Sequence, residues 1–177
     1  MTTEGDTFSF PDGTQWLVER APADTVDGSV HFIVTVPPSV FPPPPHRHAL
    51  ATDSYEVLEG SFNVSVDGQW RVVKAGERLD VPPGTVHTLA NRSGAVARVR
   101  NVHRPACRFD EFVAHADRLL RARRIQTVKD PRVPILFSML TLEYPDTFGP
   151  GRRRDRIAAR TFAAIGRGFG MSTDPNT

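Results

Sequence analysis

The sequence predicts an all-β domain of the sandwich or barrel class, followed by a short helical annex. Short alternating or β-branched segments recur up to about residue 104, each bounded by Gly, Pro or Asp. After Pro105 the apolar residues switch to helical spacing. Sixteen prolines and thirteen glycines in 177 residues supply the turns that short strands require. An apolar content of 39% with 24% charged residues fits a packed globular chain, not a disordered one.

Taken in order, TFSFPDGTQWLVER sets a Pro-Asp-Gly turn between two alternating segments, which predicts a hairpin. SVHFIVTV is a β-branched strand that directs Phe32, Val34 and Val36 to the core. SYEVLEGSFNVSVDGQWRVVKAGERLDVPPGTVHTLAN gives several strands broken at EG, DG, AG and PPG, with Trp70 placed to cap one end. AVARVRNVH closes the series. Arg98 and Arg100 share one face of it, expected to meet solvent; turned inward, the pair would suit an anionic substrate. RFDEFVAHADRLLRAR then places Phe109, Phe112, Val113, Ala116, Leu119 and Leu120 on one helical face, with Asp110 and Glu111 at the positive end of the dipole. PILFSMLTLEY and RRRDRIAARTFAAI read as two more helices separated by the breaker TFGPG, and the tail GRGFGMSTDPNT as frayed. Residues 1–104 thus form the β body. Residues 105–170 form an annex that packs on that body or contributes to a homodimer contact.

Charge narrows the function classes. The net charge is only +2, and the clusters RARR and GRRRDR read as solvated helix faces. No interleaved aromatics or recognition helix accompany them, which argues against a nucleic-acid partner. The last helix has a thin apolar stripe (Ile157, Phe162, Ile165), and the longest apolar run, ILFSMLTL, is too short to span a bilayer. No membrane partner is expected. The single cysteine, Cys107, excludes an internal disulfide and reads as structural; with no secretory n- and h-regions at the start, a cytoplasmic protein is expected.

The chemistry concentrates in FPPPPHRHALATDSYEVLEG, residues 41–60. Residues i and i+2 of an extended segment face the same side, so His46 and His48 project together. The proline run stiffens the approach to them. On the next segment Asp53, Tyr55 and Val57 share a face opposite Ser54, Glu56 and Leu58. VPPGTVHTLAN later adds a second rigid turn and His87. Three imidazoles and a carboxylate delivered from strands suit a first-row divalent metal.

HRHALATDSYEVLEG followed by GERLDVPPGTVHTLAN resembles the paired motifs of the cupin superfamily, G-x5-H-x-H-x3-4-E-x6-G and G-x5-P-x-G-x2-H-x3-N. The second is met in full from Gly76 through Pro82, Gly84 and His87 to Asn91. The first is met at His46, His48 and Gly60, with Val40 at its leading glycine and Asp53 at its glutamate. PPHRH, EVLEG, VPPGTVH and VHRPA ahead of RFDEFVAHADRL further resemble small bacterial single-domain cupins. The resemblance implies a double-stranded β-helix, or jelly-roll barrel, with C-terminal helices. It implies a site of His46, His48, Asp53 and His87 for iron, manganese, nickel or zinc, with Glu56 the alternative carboxylate. Tyr55, Val57, Leu89 and Asn91 are the candidate pocket lining, and His103 a candidate proton-transfer group. The implied function is a metal-dependent enzyme on a small organic molecule, of oxygenase, isomerase or cyclase type. The alternative is a metal-free binding protein or acid–base cyclase.

Overall fold

The computed structural model describes residues 1–38 and 42–176; Val40, the departure from the first motif, lies outside the described residues. Its strands are β1 (Thr7–Ser9), β2 (Gln15–Arg20), β3 (Val30–Val36), β4 (His46–Arg47), β5 (Thr52–Glu59), β6 (Ser61–Val66), β7 (Gln69–Lys74), β8 (Arg78–Val81), β9 (His87–Ala90), β10 (Ala97–Arg104) and β11 (Gly149–Pro150). Its helices are α1 (Phe109–Ala122), α2 (Val133–Glu143) and α3 (Arg153–Gly168).

All pairing is antiparallel. One sheet has the order β1-β2-β3-β10-β5-β8 and the other β11-β4-β9-β6-β7. The two pack face to face as a sandwich, with three helices appended. The side-chain period of two decides which residues meet inside. Phe32, Val34, Tyr55, Val57 and Val99 from the first sheet bury against Phe62, Val64 and Val73 from the second. The opposite parity faces out, so Arg100 pairs with Glu19 at 2.7 Å and Glu56 at 2.8 Å, and Arg98 with Glu59 at 3.2 Å. That register separates the two carboxylates: Asp53 points in and Glu56 points out. Trp70 is partly exposed at the β7 edge, under the Arg92 guanidinium.

One glycine shows why the first motif ends as it does. Gly60 turns β5 into β6 at φ +77°, and a Cβ there would lie 2.9 Å from the Val96 carbonyl oxygen.

The annex joins the body at two places, through α1 and through β11, which pairs with β4. Helix α1 lays Phe109 and Phe112 against the sandwich core, while α2 and α3 pack on each other through small residues. A Cβ on Gly166 would meet Ile135 and Met139 at 2.6 Å each, so the helix backbones approach closely. The tail differs from its expected frayed state. His115 donates to the Thr173 carbonyl at 2.8 Å, the Thr173 hydroxyl donates to Glu143, and Met171 packs on Leu119, Ile125 and Leu136. A Gly-rich, polar segment is ordered here by tertiary hydrogen bonds that its composition does not announce. No helix among the described residues is long and apolar enough to cross a membrane.

Candidate metal centre

The proline run is a source of acceptors. Proline has no N–H, so consecutive prolines present carbonyls with no local donors to match. Three in a row are used. Pro43 accepts the Thr88 hydroxyl at 2.6 Å, Pro44 accepts His46 Nδ1–H at 3.0 Å, and Pro45 accepts the Gly151 amide at 3.0 Å. The second rigid turn acts alike: the Gly84 amide donates to the His48 carbonyl at 2.8 Å, and Thr85 presents its carbonyl to His87 Nδ1 at 3.1 Å. His48 Nδ1 finds its acceptor in the annex, at the Thr147 carbonyl.

A carbonyl only accepts, so each of the three rings carries its proton on Nδ1 and turns an Nε2 lone pair inward. His46 and His87 are register partners across β4 and β9, and the donor atoms of His46, His48 and His87 lie within 4.8 Å of one another. From the facing sheet comes Asp53, whose Oδ2 stands 3.1 Å from His87 Nε2 and 3.5 Å from His48 Nε2. The Tyr55 hydroxyl donates to that oxygen. Asp53 Oδ1 is held separately, by Asn101 Nδ2 at 2.6 Å and His103 Nε2 at 3.2 Å. His103 is the register partner of Asp53, and its ring is stacked on Phe109 with centroids 3.6 Å apart.

His46, His48, Asp53, His87 and His103 are only 1–4% exposed. Burial opposes ionisation of Asp53, yet His103, His48 and His87 around it hold the carboxyl well below its ordinary value. Burial, aided by the neighbouring His87 and His48, pushes His46 well below the usual imidazole range; His103 is pushed down to about 3, by burial first. Burial also lowers His87, but Asp53 outweighs it and the net shift is upward. Tyr55 is raised well above its usual value by burial and then by Asp53. The cluster therefore sets one carboxylate beside His46 and His103, which resist protonation, and His87, whose protonation Asp53 favours.

The residues fit a divalent ion. His48 Nε2 is buried without a hydrogen-bond partner, an orphaned lone pair that an ion would satisfy. Donors at about 2.1 Å from a shared ion lie roughly 3 Å apart when cis, close to the 3.1 and 3.5 Å separations of Asp53 Oδ2 from His87 and His48. Each ring nitrogen turned away from the centre is anchored to a carbonyl, the usual outer support of ligating histidines.

The pocket candidates fall elsewhere in role. Tyr55 touches Asp53; Val57 lies fully buried in the apolar core, and Leu89 packs against it. Asn91 braces the loop after β9, donating to the Val36 and Ala95 carbonyls at 2.8 Å each. Sequence reasoning missed Asn101, Thr147 and Phe148. Asn101 was findable, because it shares strand parity with His103. The other two lie in a stretch that read only as a breaker. A cleft of about 420 Å³ lined by Met1, Asp6, Glu111, Arg118 and Tyr144 opens beside the N-terminal segment and does not include the histidines.

Residues 32–103 match the family model described as the Cupin domain. No curated protein sequence gives a match. Among solved structures, KdgF from Halomonas sp. is similar at 22% identity and TM-score 0.51, over 60% of this chain and 92% of that one. A predicted oxalate decarboxylase from Thermotoga maritima aligns at 16% identity and TM-score 0.48, over 59% and 98%. The cupin domain of Schizosaccharomyces pombe Cnp3 aligns at 15% and 0.46, over 67% and 74%.

Proposed function

We propose, from the match of residues 32–103 to the Cupin domain model and from the site geometry, a metal-dependent enzyme acting on a small organic molecule, with His46, His48, Asp53 and His87 as the ligands. One observation carries the reading: the donor atoms of His46, His48 and His87 lie within 4.8 Å of one another, Asp53 Oδ2 stands 3.1 and 3.5 Å from His87 and His48, and the Nδ1 side of every ring is tied to a carbonyl. When bound, iron, manganese, nickel or zinc would supply a Lewis-acid or oxygen-activating centre. The chain's own groups do the rest. Asn101 and His103 hold Asp53 Oδ1 and so aim Oδ2 at the histidines. Phe109 and Phe148, stacked on His103 and His46, exclude water. Elemental analysis of untagged protein beside a His87→Ala control tests the reading. Near one equivalent of a transition metal, lost in the control, supports it. A wild type that neither contains nor takes up any of the four ions refutes it.

A second reading has its own observation. The Asp53 carboxylate is met without any ion by donors from Tyr55, Asn101 and His103, and by His87 Nε2 when that ring takes a second proton, the direction in which Asp53 shifts it. Such a cluster suits a metal-free binding protein or an acid–base cyclase. The same elemental analysis separates the two.

A further inference from the structure

The annex reaches into the histidine cluster along one continuous segment. The Thr147 carbonyl accepts from His48 Nδ1, and the Thr147 hydroxyl is itself anchored to the Cys107 carbonyl. The Phe148 ring stacks on His46 at 4.1 Å and 14°, and on Phe112 behind it at 5.6 Å. Gly149 and Pro150, as β11, pair with Arg47 and His46 on β4. The Gly151 amide then closes on the Pro45 carbonyl. Two of the three clustered histidines are thus oriented or covered by residues far beyond the matched domain. With the segment in place, no candidate ligand is more than 4% exposed. A small molecule therefore has no open path to the histidines from this side.

We propose that Thr147–Gly151 is a strap that completes the metal centre from the annex and closes it, so that strap docking and metal binding are linked and ligand entry requires the strap to lift. The inference rests on the metal reading above and goes beyond it by assigning the annex a role. Linkage is reciprocal: a segment that orients metal ligands is itself held down by the metal. The strap's backbone is held by a two-residue strand and a few hydrogen bonds, whereas β5 and β10 pair along their whole length; the buried Phe148 ring is its main apolar anchor.

Hydrogen exchange on the wild type with and without saturating zinc is the first test. The peptide covering residues 145–151 should exchange about tenfold more slowly with zinc, within the usual range for coupled sites. The β6–β7 hairpin should be unchanged. Gly151→Val is the second, because a Cβ there would meet the Pro45 carbonyl oxygen and Val86 Cγ1 at 2.8 Å each. This variant should release zinc to a chromophoric chelator about tenfold faster. Phe148→Leu, which keeps apolar volume and removes the stack, should lie between it and the wild type. If the valine variant does not fold, the wild-type exchange comparison decides alone. A protein that loads zinc normally but shows equal strap exchange with and without it overturns the proposal and leaves the metal reading standing. A wild type that takes up none of the four ions overturns both.

Discussion

Asp53→Glu asks whether the shorter carboxylate is built in or is the remnant of a lost site. The residue is 1% exposed, and its two oxygens already have neighbours at 2.6, 3.1, 3.2 and 3.5 Å. An added methylene pushes the carboxylate forward by about 1.5 Å, one carbon–carbon bond. At that displacement Oδ2 would collide with His87 Nε2, so the chain must rotate and give up Asn101 or His103. Overpacking a tight site costs about 1–3 kcal/mol, and one lost hydrogen bond to a charged group about 1.5–3 kcal/mol. A net loss near 3 kcal/mol lowers the melting temperature of a chain this size by about 6–12 °C. Disturbing the outer support of a ligand weakens metal binding about 10- to 100-fold. Thermal unfolding of the metal-free variant and a chelator-competition titration with zinc or nickel read the two effects. A glutamate variant with unchanged melting temperature and equal or tighter metal binding would refute the reasoning, and would mean that aspartate marks a decayed site.

Other substitutions separate the scaffold from the site. Asn91→Ala removes the side-chain donor to the Val36 and Ala95 carbonyls and should cost about 1–3 kcal/mol in denaturant unfolding, with metal content unaltered. Gly60→Ala meets both a positive φ and the Val96 carbonyl; it should destabilise by about 1–3 kcal/mol, again by denaturant melts. Arg98→Ala breaks only the exposed pair with Glu59, so stability should move by less than about 1 kcal/mol. Glu19 is held below its ordinary value, by the Arg100 hydrogen bond first and against the cost of burial. Its contribution is therefore present above the ordinary carboxylate range and is lost as pH falls through the depressed value. Glu19→Gln should be less stable than wild type at neutral pH, with the gap closing in acid melts below about pH 4.

How much of this was legible depended on whether a residue's role is local. The inward direction of His46, His48, Asp53 and His87 was readable because strand parity and rigid turns fix it within a few positions. The inward turn of Asp53 against Glu56 followed from the same period of two. The helices of the annex were readable from spacing alone. The three proline carbonyl contacts were not, since their donors, Thr88, His46 and Gly151, come partly from elements 45 and more residues away. Nor was the strap, because TFGPG carries the local chemistry of a breaker and acquires its role only by docking. The motif positions also divide unexpectedly: Asn91 and Gly60 serve turns, while the histidines face the centre.

The β11–β4 pairing has a further consequence, for solubility. Strand β4 would otherwise present an unpaired edge, and a bare edge is a template for pairing with other chains. In this fold β11 blunts that edge with two residues, one of them a proline that cannot donate onward. Each opening of the strap uncovers the edge together with the Phe148 ring. Crowded, metal-depleted protein should therefore be the form most prone to self-association, and slow loading in the cell would carry an aggregation risk as well as a loss of activity.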